Sequence, residues 1–330
     1  MENKNYAIEV KNFTKKYKRN EKPAVDNINF KVKQGSFHGF IGANGAGKTT
    51  TIKSLIGAYA NFKGKINFFG VQHNWPSSKK KIGYIPEKTT FPIGIKTITY
   101  LKWFGFLSGL SFKESKFRAL RLLEEQGLLE LANKKPNKFS SGQKKSIILI
   151  QALLHEPRIL IMDEPAANLD PTARIIFFNQ LKKLQKQGIT IFISSHILSE
   201  LEKYISSVTI LDGGKVVYCS ELNKNKNIFD ENKYISSTPE KKEELFKILK
   251  DMELQPKPVK TGFNIIIPNE ETKNNLLKKL MSENISFNSF IDNKNNLEEI
   301  YRKYVIIGSN HTQAIKLNKN KVKKMQKELW

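Results

Sequence analysis

Residues 42–49 restrict the fold more than any other stretch, because they read Gly-Ala-Asn-Gly-Ala-Gly-Lys-Thr and fit the pattern G-x-x-x-x-G-K-[ST]. The apolar run 37–41 precedes them and the helix-like stretch 50–58 follows, which is the strand–loop–helix context of this pattern. Its glycines allow backbone N–H groups to surround phosphate oxygens, and the following helix adds partial positive charge. Lys48 can reach the β- and γ-phosphates, and the Thr49 hydroxyl can ligate Mg²⁺. The loop therefore predicts a nucleoside triphosphate site.

A second stretch, residues 158–164, reads Arg-Ile-Leu-Ile-Met-Asp-Glu and predicts a buried strand that ends in two acids. Asp163 at the carboxyl end of such a strand can hold Mg²⁺, directly or through water. Glu164 can polarise a water molecule against the γ-phosphate, a role that typically contributes about 10²–10⁴-fold in rate. Either stretch alone could be a simple turn with exposed charges. Together they predict nucleotide hydrolysis.

The sequence argues against a transmembrane or secreted protein, and it leaves the meaning of the positive net charge open. The 330 residues contain no run of about 20 apolar residues, and the first five lack the apolar stretch of a signal peptide. The single cysteine, Cys219, allows no internal disulfide, so a reducing cytoplasm fits. The net charge of +25 would attract phosphates of nucleic acid, anionic lipid or nucleotide. Because the lysines are spread along the chain and accompany many asparagines, we favour a compositional bias without function.

The pattern of apolar runs predicts two folded domains. Residues 6–222 predict a mixed α/β domain with a partly parallel sheet, 223–229 a polar linker, 230–305 a small α+β domain and 306–330 a basic tail. In the first domain the predicted strands include 28–32, 36–41, 66–69, 159–162, 190–194 and 207–212, and the predicted helices follow Lys48, Thr97, Phe112, Ser141 and Pro171. In the second the predicted strands are 234–237, 263–267 and 285–291, and the predicted helices are 239–252, 270–281 and 297–305.

Further short stretches carry a resemblance to a known family. Residues 139–143 read Phe-Ser-Ser-Gly-Gln and resemble the Leu-Ser-Gly-Gly-Gln signature of the ATP-binding subunits of ABC transporters. Asn168-Leu169-Asp170 resembles the D-loop of that family, His196 its switch histidine and Tyr17 the aromatic residue that stacks on adenine. The resemblance covers residues 6–221 in consistent order. It implies an α/β P-loop NTPase of ABC type with a mixed sheet core, a helical subdomain and a small C-terminal α+β domain.

The resemblance also implies a mechanism that needs two chains. In this family two ATPase domains close head to tail, and each ATP lies between the phosphate loop of one chain and the signature of the other. Ser140 and the backbone N–H of Gly142 would serve ATP bound by a second ATP-binding subunit, identical or related. His196 would contact the γ-phosphate, and Asp170 would help hold the interface. The cycle would drive a transmembrane permease subunit, with this chain peripheral at the cytoplasmic face of the cell membrane.

The motifs and the resemblance give three sets of candidate residues. The catalytic set is Lys48, Glu164 and His196. The set for ATP is Tyr17, Gly42, Asn44, Gly45, Ala46, Gly47, Lys48, Thr49, Thr50, Glu87, Ser140, Gly142, Gln143 and Asp163. The set for Mg²⁺ is Thr49, Glu87 and Asp163. The other histidines, among them His38, have no metal-ligand spacing and are expected to be structural or surface residues.

Single residues depart from the family pattern. Glu87 stands where the family usually has glutamine, and it keeps a carboxyl oxygen for Mg²⁺ but adds a charge. Ser141 replaces the first glycine of the signature, and Ser146 stands where an arginine is common. None of these changes removes a phosphate contact, so we expect activity to persist.

Two features outside the motifs bear on the partner. Residues 297–301, Leu-Glu-Glu-Ile-Tyr, are similar to the closing stretch of ATPases from drug, lantibiotic and sodium exporters, so we expect an exporter. A coincidental amphipathic helix is the alternative. For the aromatic residues Trp103, Phe104 and Phe106, we favour core packing over a groove that receives a cytoplasmic helix of the permease.

A soluble ABC-type ATPase that acts on ribosomes or nucleic acid is the main alternative function, motivated by the charge of +25. Translation-factor members carry two ATPase domains in one chain, and DNA-repair members place long coiled coils between phosphate loop and signature. Here one ATPase domain is present, and about 90 residues without sustained heptads separate the two motifs. The transporter subunit is therefore favoured, and the signature and Tyr17 disfavour a GTPase or kinase.

Overall fold

The computed structural model describes residues 5–18, 21–222, 232–237, 241–259, 262–267, 270–285 and 287–292, together with Tyr301 and Val305. The chain divides into two compact units, residues 1–222 and residues 223–330. The predicted linker and basic tail lie outside the described residues, as does most of the predicted helix 297–305. Within the described ranges, no helix is both long and apolar enough to cross a bilayer.

The first unit contains an antiparallel sheet, a mostly parallel sheet and helices. Its strands are β1 (Tyr6–Lys15), β2 (Val25–Lys33), β3 (Phe37–Ile41), β4 (Lys63–Phe68), β5 (Val71–Gln72), β6 (Ile82–Ile85), β7 (Ile159–Met162), β8 (Thr190–Ser195), β9 (Ser207–Asp212) and β10 (Lys215–Glu221). Its α-helices are α1 (Lys48–Leu55), α2 (Pro76–Lys79), α3 (Thr97–Leu107), α4 (Phe112–Glu125), α5 (Ser141–Leu153), α6 (Pro171–Lys186) and α7 (Leu198–Leu201). The predicted strands and helix starts of this part of the chain are confirmed, with small shifts at some ends.

The antiparallel sheet has the strand order β2-β1-β4-β5. In β2, buried residues alternate with more exposed ones, and Ile28, Phe30 and Val32 lie on the buried face. This period of two is what a sheet with one face on the core requires. The Phe30 ring lies 5.4 Å from the ring of Phe40 and 6.1 Å from that of Phe192, which joins this sheet to the parallel one.

The parallel sheet sets the position of the predicted motifs. Its order is β10-β9-β3-β8-β7-β6, and the pairs from β9 to β6 are parallel. Every residue of β3 and β7 is buried, as expected for strands covered on both faces. Because the carboxyl ends of parallel strands meet at one edge, the loops after β3, β7 and β8 lie together. Lys48, Glu164 and His196 follow these three strands.

Side-chain caps fix the start of two of the helices. Ser111 accepts a hydrogen bond from the backbone N–H of Glu114 at 3.1 Å and begins α4. Asp170 accepts one from the N–H of Ala173 at 2.8 Å and begins α6, with Pro171 at the first helical position. The predicted cap at Asp170 is therefore confirmed. Helix α3 packs against α4, and both pack against α5, so these three form a helical layer.

The hairpin of β9 and β10 supports the phosphate loop. Asp212 and Lys215 pair across a turn whose glycines, Gly213 and Gly214, have positive φ of 51° and 79°, which confirms the predicted turn. The N–H of Gly214 donates to the carbonyl of Ala46 at 3.1 Å. The turn therefore holds residue 46, the middle of the phosphate loop, from outside.

The second unit is a small α+β structure. Its elements are β11 (Asn232–Ser237), α8 (Lys242–Asp251), β12 (Lys257–Val259), β13 (Gly262–Ile266), α9 (Glu270–Ser282) and β14 (Phe287–Asp292). The sheet is antiparallel with the order β12-β13-β11-β14, which is the split βαβ arrangement of ferredoxin-like domains. Leu245 and Leu249 of α8 and Leu276 and Leu280 of α9 are buried in its core. The sequence predicted these elements except β12.

Candidate nucleotide-binding site

The loops at the carboxyl edge of the parallel sheet enclose a cavity of about 610 Å³. The cavity brings together most of the side chains that the sequence proposes for phosphate binding and catalysis. Its lining consists of Tyr17, Ala24, Asn44, Gly45, Gly47, Lys48, Thr49, Thr50, Glu87, Glu164, Ala167 and His196. Its volume falls in the usual range of about 300–1,000 Å³ for small-ligand sites.

The phosphate loop is shaped by residues without a β-carbon. Gly45 and Gly47 have φ of 81° and 104°, in the left-handed region that other residues rarely adopt. At Gly42 a β-carbon would lie 2.4 Å from the carbonyl oxygen of Leu211, so the strand β9 leaves no space for one. Helix α1 begins after Gly47 without a side-chain cap. Its first N–H groups are therefore placed to bind an anion.

Lys48 is almost completely buried within this loop. Its side chain is 5% exposed, and its ammonium donates to the carbonyls of Gly42 at 2.7 Å and Ala43 at 3.1 Å. The same group lies 3.0 Å from Oε1 of Glu164. A buried ammonium needs such partners because transfer out of water is costly. The loop thus holds one positive charge at the floor of the cavity.

Glu164 lies between two cationic or polar partners. Its Oε1 contacts Lys48, and its Oε2 lies 2.7 Å from Nδ1 of His196. Burial by itself raises the pKa of Glu164, but hydrogen bonds and charges from Lys48 and His196 outweigh it and hold this pKa below its usual value. The carboxylate is therefore ionised at neutral pH, as a general base must be. Its backbone φ of 40° is unusual for a residue other than glycine and is typical of functional sites.

Asp163 is buried directly behind Glu164. It is 2% exposed, and its Oδ1 accepts a hydrogen bond from the hydroxyl of Ser194 at 2.9 Å. The same hydroxyl accepts one from the N–H of Glu164 at 2.9 Å. Ser194 of β8 therefore orients both acids at the end of β7. Sequence reasoning gave Ser194 no role, and only the register of the two strands reveals it.

Tyr17 lies at the rim of the cavity with its ring 57% exposed. Its hydroxyl lies 2.9 Å from Oγ1 of Thr50, and Tyr59 contacts its ring edge-on at 5.9 Å between centroids. The ammonium of Lys15 lies 5.3 Å from the Tyr59 ring. These contacts hold the Tyr17 ring in place while more than half of the residue stays exposed, which suits stacking on a base.

The cavity offers oxygen donors of the kind that bind Mg²⁺ together with a nucleotide. Thr49 and Glu87 line the cavity, and Asp163 is buried behind it. The described residues contain no cluster of three acids, histidines or cysteines that could hold a metal by itself. Mg²⁺ is usually bound by one or two carboxylates together with substrate phosphates and water. Thr49, Glu87 and Asp163 fit that donor set.

The signature residues lie apart from this cavity. Ser140 is exposed and caps α5, where its hydroxyl accepts a hydrogen bond from the N–H of Gln143 at 3.2 Å. The Gln143 side chain in turn accepts one from the N–H of Ser140 at 3.1 Å. At Gly142 a β-carbon would lie 3.0 Å from Cβ of Ala173, so α5 approaches α6 closely. Ser140, Gly142 and Gln143 do not line the cavity formed by the phosphate loop of their own chain.

Arg174, which sequence reasoning missed, connects two motifs. Its guanidinium donates to the carbonyl of Leu169 at 3.1 Å and pairs with the carboxylate of Glu200. Leu169 belongs to the stretch 168–170, and Glu200 lies on α7 directly after His196. The contacts of Arg174 therefore tie the segment that carries His196 to the loop before α6.

The exposure of two aromatic residues of α3 contradicts the core packing that the sequence analysis favoured. Trp103 and Phe106 are 50% and 44% exposed, so core packing is wrong for both. Their rings lie 5.0 Å and 4.3 Å from that of Phe112 on α4. Phe104 instead packs on Tyr100, with 4.7 Å between ring centroids. Trp103, Phe106 and Phe112 form an exposed surface, called the aromatic patch below.

Comparisons with known proteins agree with this geometry. Residues 25–167 match the family described as ABC transporter. A putative ABC transporter ATP-binding protein of Mycoplasma pneumoniae is 37% identical over 302 residues, which cover 90% of this chain and 92% of that protein. The chain belongs to the ABC transporter ATP-binding proteins. The match is longer than the first unit, so this relative shares part of the second unit as well.

Other ABC transporter proteins match about two thirds of the chain. The bacitracin transport ATP-binding protein of Bacillus licheniformis is 37% identical over 64% of this chain and 68% of its own length. The solved structure of a dimeric bacterial ABC transporter cassette is 25% identical, with a TM-score of 0.59 over 66% of this chain and 99% of that chain. The predicted fold, ATP binding and ATPase activity are therefore confirmed at the level of the family.

Proposed function

We propose that this chain is the ATP-hydrolysing subunit that powers a separately encoded transmembrane exporter. The observation that carries the proposal is the ionised Glu164, held between Lys48 and His196 at the wall of a cavity of nucleotide size. In this role Lys48 and the N-terminus of α1 bind the phosphates, Glu164 activates water, and His196 contacts the γ-phosphate. Thr49, Glu87 and Asp163 would hold Mg²⁺ together with the nucleotide, and the ion would offset negative charge on the phosphates.

The catalytic site is proposed to need two chains. The phosphate loop of this chain lines a cavity that the signature residues of the same chain do not reach. Ser140 and Gly142 would therefore act on ATP held by a second ATP-binding subunit. The similar solved cassette is dimeric, which supports this arrangement. The partner subunit can be a second copy or a related chain.

The aromatic patch is the surface that we assign to the permease. Its three rings contact one another yet remain about half exposed, and exposed aromatic clusters mark sites for protein partners. A cytoplasmic helix of the permease would cover them and hold the subunit peripherally at the cytoplasmic face of the membrane. Co-expression with the permease should therefore be required for membrane association. Insertion of the purified chain alone into liposomes would contradict this part.

Export is the direction that the relatives support. Similar proteins are named for bacitracin transport, for linearmycin resistance in Bacillus subtilis and for Nod factor export in Cupriavidus metallidurans. These names describe those proteins and leave the substrate of this chain open. Action on ribosomes or nucleic acid is not favoured, because these relatives carry transport or resistance names.

Substitution of Glu164 tests the proposal. Glu164→Gln should still bind ATP, hydrolyse it about 10²–10⁴-fold more slowly and accumulate as a dimer with ATP bound. ATP turnover and size-exclusion chromatography with light scattering measure these effects. Glu156→Gln is the matched control, because Glu156 also has a positive φ, of 54°, but pairs with Arg118 outside the cavity. Near-normal turnover by Glu164→Gln would remove the general-base assignment.

A further inference from the structure

Helix α5 carries a buried lysine that none of the roles above uses. Lys145 is 5% exposed, two residues after the signature. Its ammonium donates hydrogen bonds to the backbone carbonyls of Pro86 and Glu87, each at 3.1 Å. These carbonyls belong to the loop that follows β6, which is 58 and 59 residues earlier in the chain. The side chain therefore fastens the loop with Glu87 to the first turns of α5.

Stability alone does not explain a lysine at this position. Burial lowers the pKa of Lys145 to about 8, and the charge of Glu87 acts in the opposite direction. Replacing a whole buried ion pair by well-packed apolar residues is often neutral or stabilising, so a buried charge is weak evidence for a role in stability. A methionine at position 145 would fill a similar volume but would leave the carbonyls of Pro86 and Glu87 without this donor. The role of the ammonium therefore lies in these two contacts rather than in packing.

One of those contacts is to Glu87, a residue that departs from the family pattern. Glu87 stands where the family usually has glutamine, and its exposed side chain lines the cavity next to the phosphate loop. A carboxylate there repels the phosphates unless a cation or a metal offsets its charge. The ammonium of Lys145 is hydrogen-bonded to the backbone carbonyl of Glu87 and so places a positive charge near this carboxylate.

We propose that Lys145 is a positioning residue that acts through Glu87: it fixes the backbone at 86–87 and offsets the added carboxylate charge. This inference rests on the proposed function of Glu87 at the metal–nucleotide site. Helix α5 begins at the signature, which serves the ATP of the partner subunit in the proposed dimer. The Lys145 contacts thus connect the two ATP sites of the dimer through one side chain.

The test is a double-mutant cycle in the full chain, with Lys145→Met, Glu87→Gln and the combination. Lys145→Met should lower the rate of ATP hydrolysis about 10-fold in the native background but less than about 3-fold in the Glu87→Gln background. The Mg²⁺ concentration that half-saturates binding of a fluorescent ATP analogue should shift in Lys145→Met and return toward the native value in the combination. The thermal unfolding midpoint should fall by a similar amount in both backgrounds, because Pro86 and Glu87 lose the same hydrogen-bond donor in each.

Lys144→Met is the matched control, since it removes a lysine from the same helix turn that is only partly buried. It should leave the rate and the Mg²⁺ dependence unchanged. Equal losses from Lys145→Met in both backgrounds, or a loss that follows the unfolding midpoint, would overturn the inference. If the native chain hydrolysed no ATP, the proposed function itself would fail. If the native chain were active and Lys145→Met matched it, only this inference would fail.

Discussion

The N-termini of helices α1 and α5 in the first unit differ in how their backbone N–H groups are satisfied. Helix α1 follows Gly47 and begins without a side-chain cap, so its N–H groups are directed into the cavity. Helix α5 begins with Ser140 and Gln143, which satisfy each other's backbone N–H groups in a capping box. The N-terminus of α1 thus has N–H groups available to an anion, and that of α5 is already capped within the single chain.

This difference indicates that the N-termini of α1 and α5 have separate roles. The phosphate-binding end stays accessible because glycines and the buried Lys48 keep it open within one chain. The signature end is capped by the side chains of Ser140 and Gln143, and in the proposed dimer the second subunit would bring ATP to it. The Ser140 hydroxyl accepts from Gln143 and still has a proton to donate, so it can serve as cap and ligand together. The following predictions test this division.

Lys48→Ala should have the largest effect. It removes the charge that is proposed to hold the β- and γ-phosphates and leaves Glu164 without the ammonium that it contacts. We expect ATP binding to fall by more than about 100-fold, measured by titration calorimetry. Lys53→Ala on the same helix is the control and should bind nearly as the native chain does. Micromolar binding by Lys48→Ala would show that the α1 end alone can hold the nucleotide.

Ser140→Ala should act mainly on hydrolysis. The isolated chain should bind ATP normally, lose about 1 kcal/mol of unfolding free energy with its cap and lose about 10-fold in turnover. Ser111→Ala removes the equivalent cap of α4 and is the matched control. It should show the same loss of stability with unchanged turnover. Equal turnover of the two variants would reduce Ser140 to a structural cap.

Mixing Lys48→Ala with Ser140→Ala sharpens this comparison. In a head-to-tail dimer, Lys48→Ala supplies an intact signature to the intact phosphate loop of Ser140→Ala. Hydrolysis should therefore recover in the mixture relative to either variant alone, provided that the chain pairs with itself. No recovery in a mixture shown to contain mixed dimers would contradict a site shared between chains.

The last prediction concerns the strand that leads to α1 and the stability of the fold rather than ATP turnover. His38 of β3 is buried with both ring nitrogens near hydroxyls of β9, Ser207 at 2.7 Å and Thr209 at 3.0 Å. Burial lowers the pKa of His38 to about 3. The unfolded chain therefore takes up this proton first, and the contribution of His38 to stability is complete above about pH 6.5 and is lost toward pH 3.

Denaturant unfolding between pH 7 and pH 5 measures this loss, expected at about 1.4 kcal/mol for each pH unit below 6.5. His38→Gln keeps a donor and an acceptor but removes the titration. Its stability should depend less steeply on pH than that of the native chain. If the unfolding free energy of both proteins fell equally steeply with pH, groups other than His38 would cause the acid sensitivity. The capping box of α5 should be unaffected in either case.

Local patterns predicted the elements that carry the motifs. Strands β7 and β9 have their predicted bounds, and the cap at Asp170 is where the sequence indicated. These features depend on apolar runs and on neighbouring residues, which a single stretch of sequence contains. The three-residue strand β12 escaped prediction, because Lys257–Val259 is too short and contains a proline.

The chemistry within the site depended on distant parts of the chain. Neither the ion pair of Lys48 with Glu164 nor the bridge through Ser194 has a local signal, since each joins residues from different strand ends. The exposure of Trp103 was equally hidden, because an apolar helix face does not reveal what covers it. The residues were predictable as a set, whereas their mutual contacts required the order of the strands.

The strand register has a consequence for how this protein can vary in length. Phe40 of β3 pairs with Ser194 of β8, and Ile193 of β8 pairs with Met162 of β7. One residue inserted into β8 would turn every later side chain to the opposite face and take Ser194 away from Asp163. Insertions and deletions should therefore be tolerated in the connecting loops and excluded from these three strands. Among functional relatives, differences in length should therefore lie in the connecting loops, and the strands that align the catalytic residues should keep their lengths.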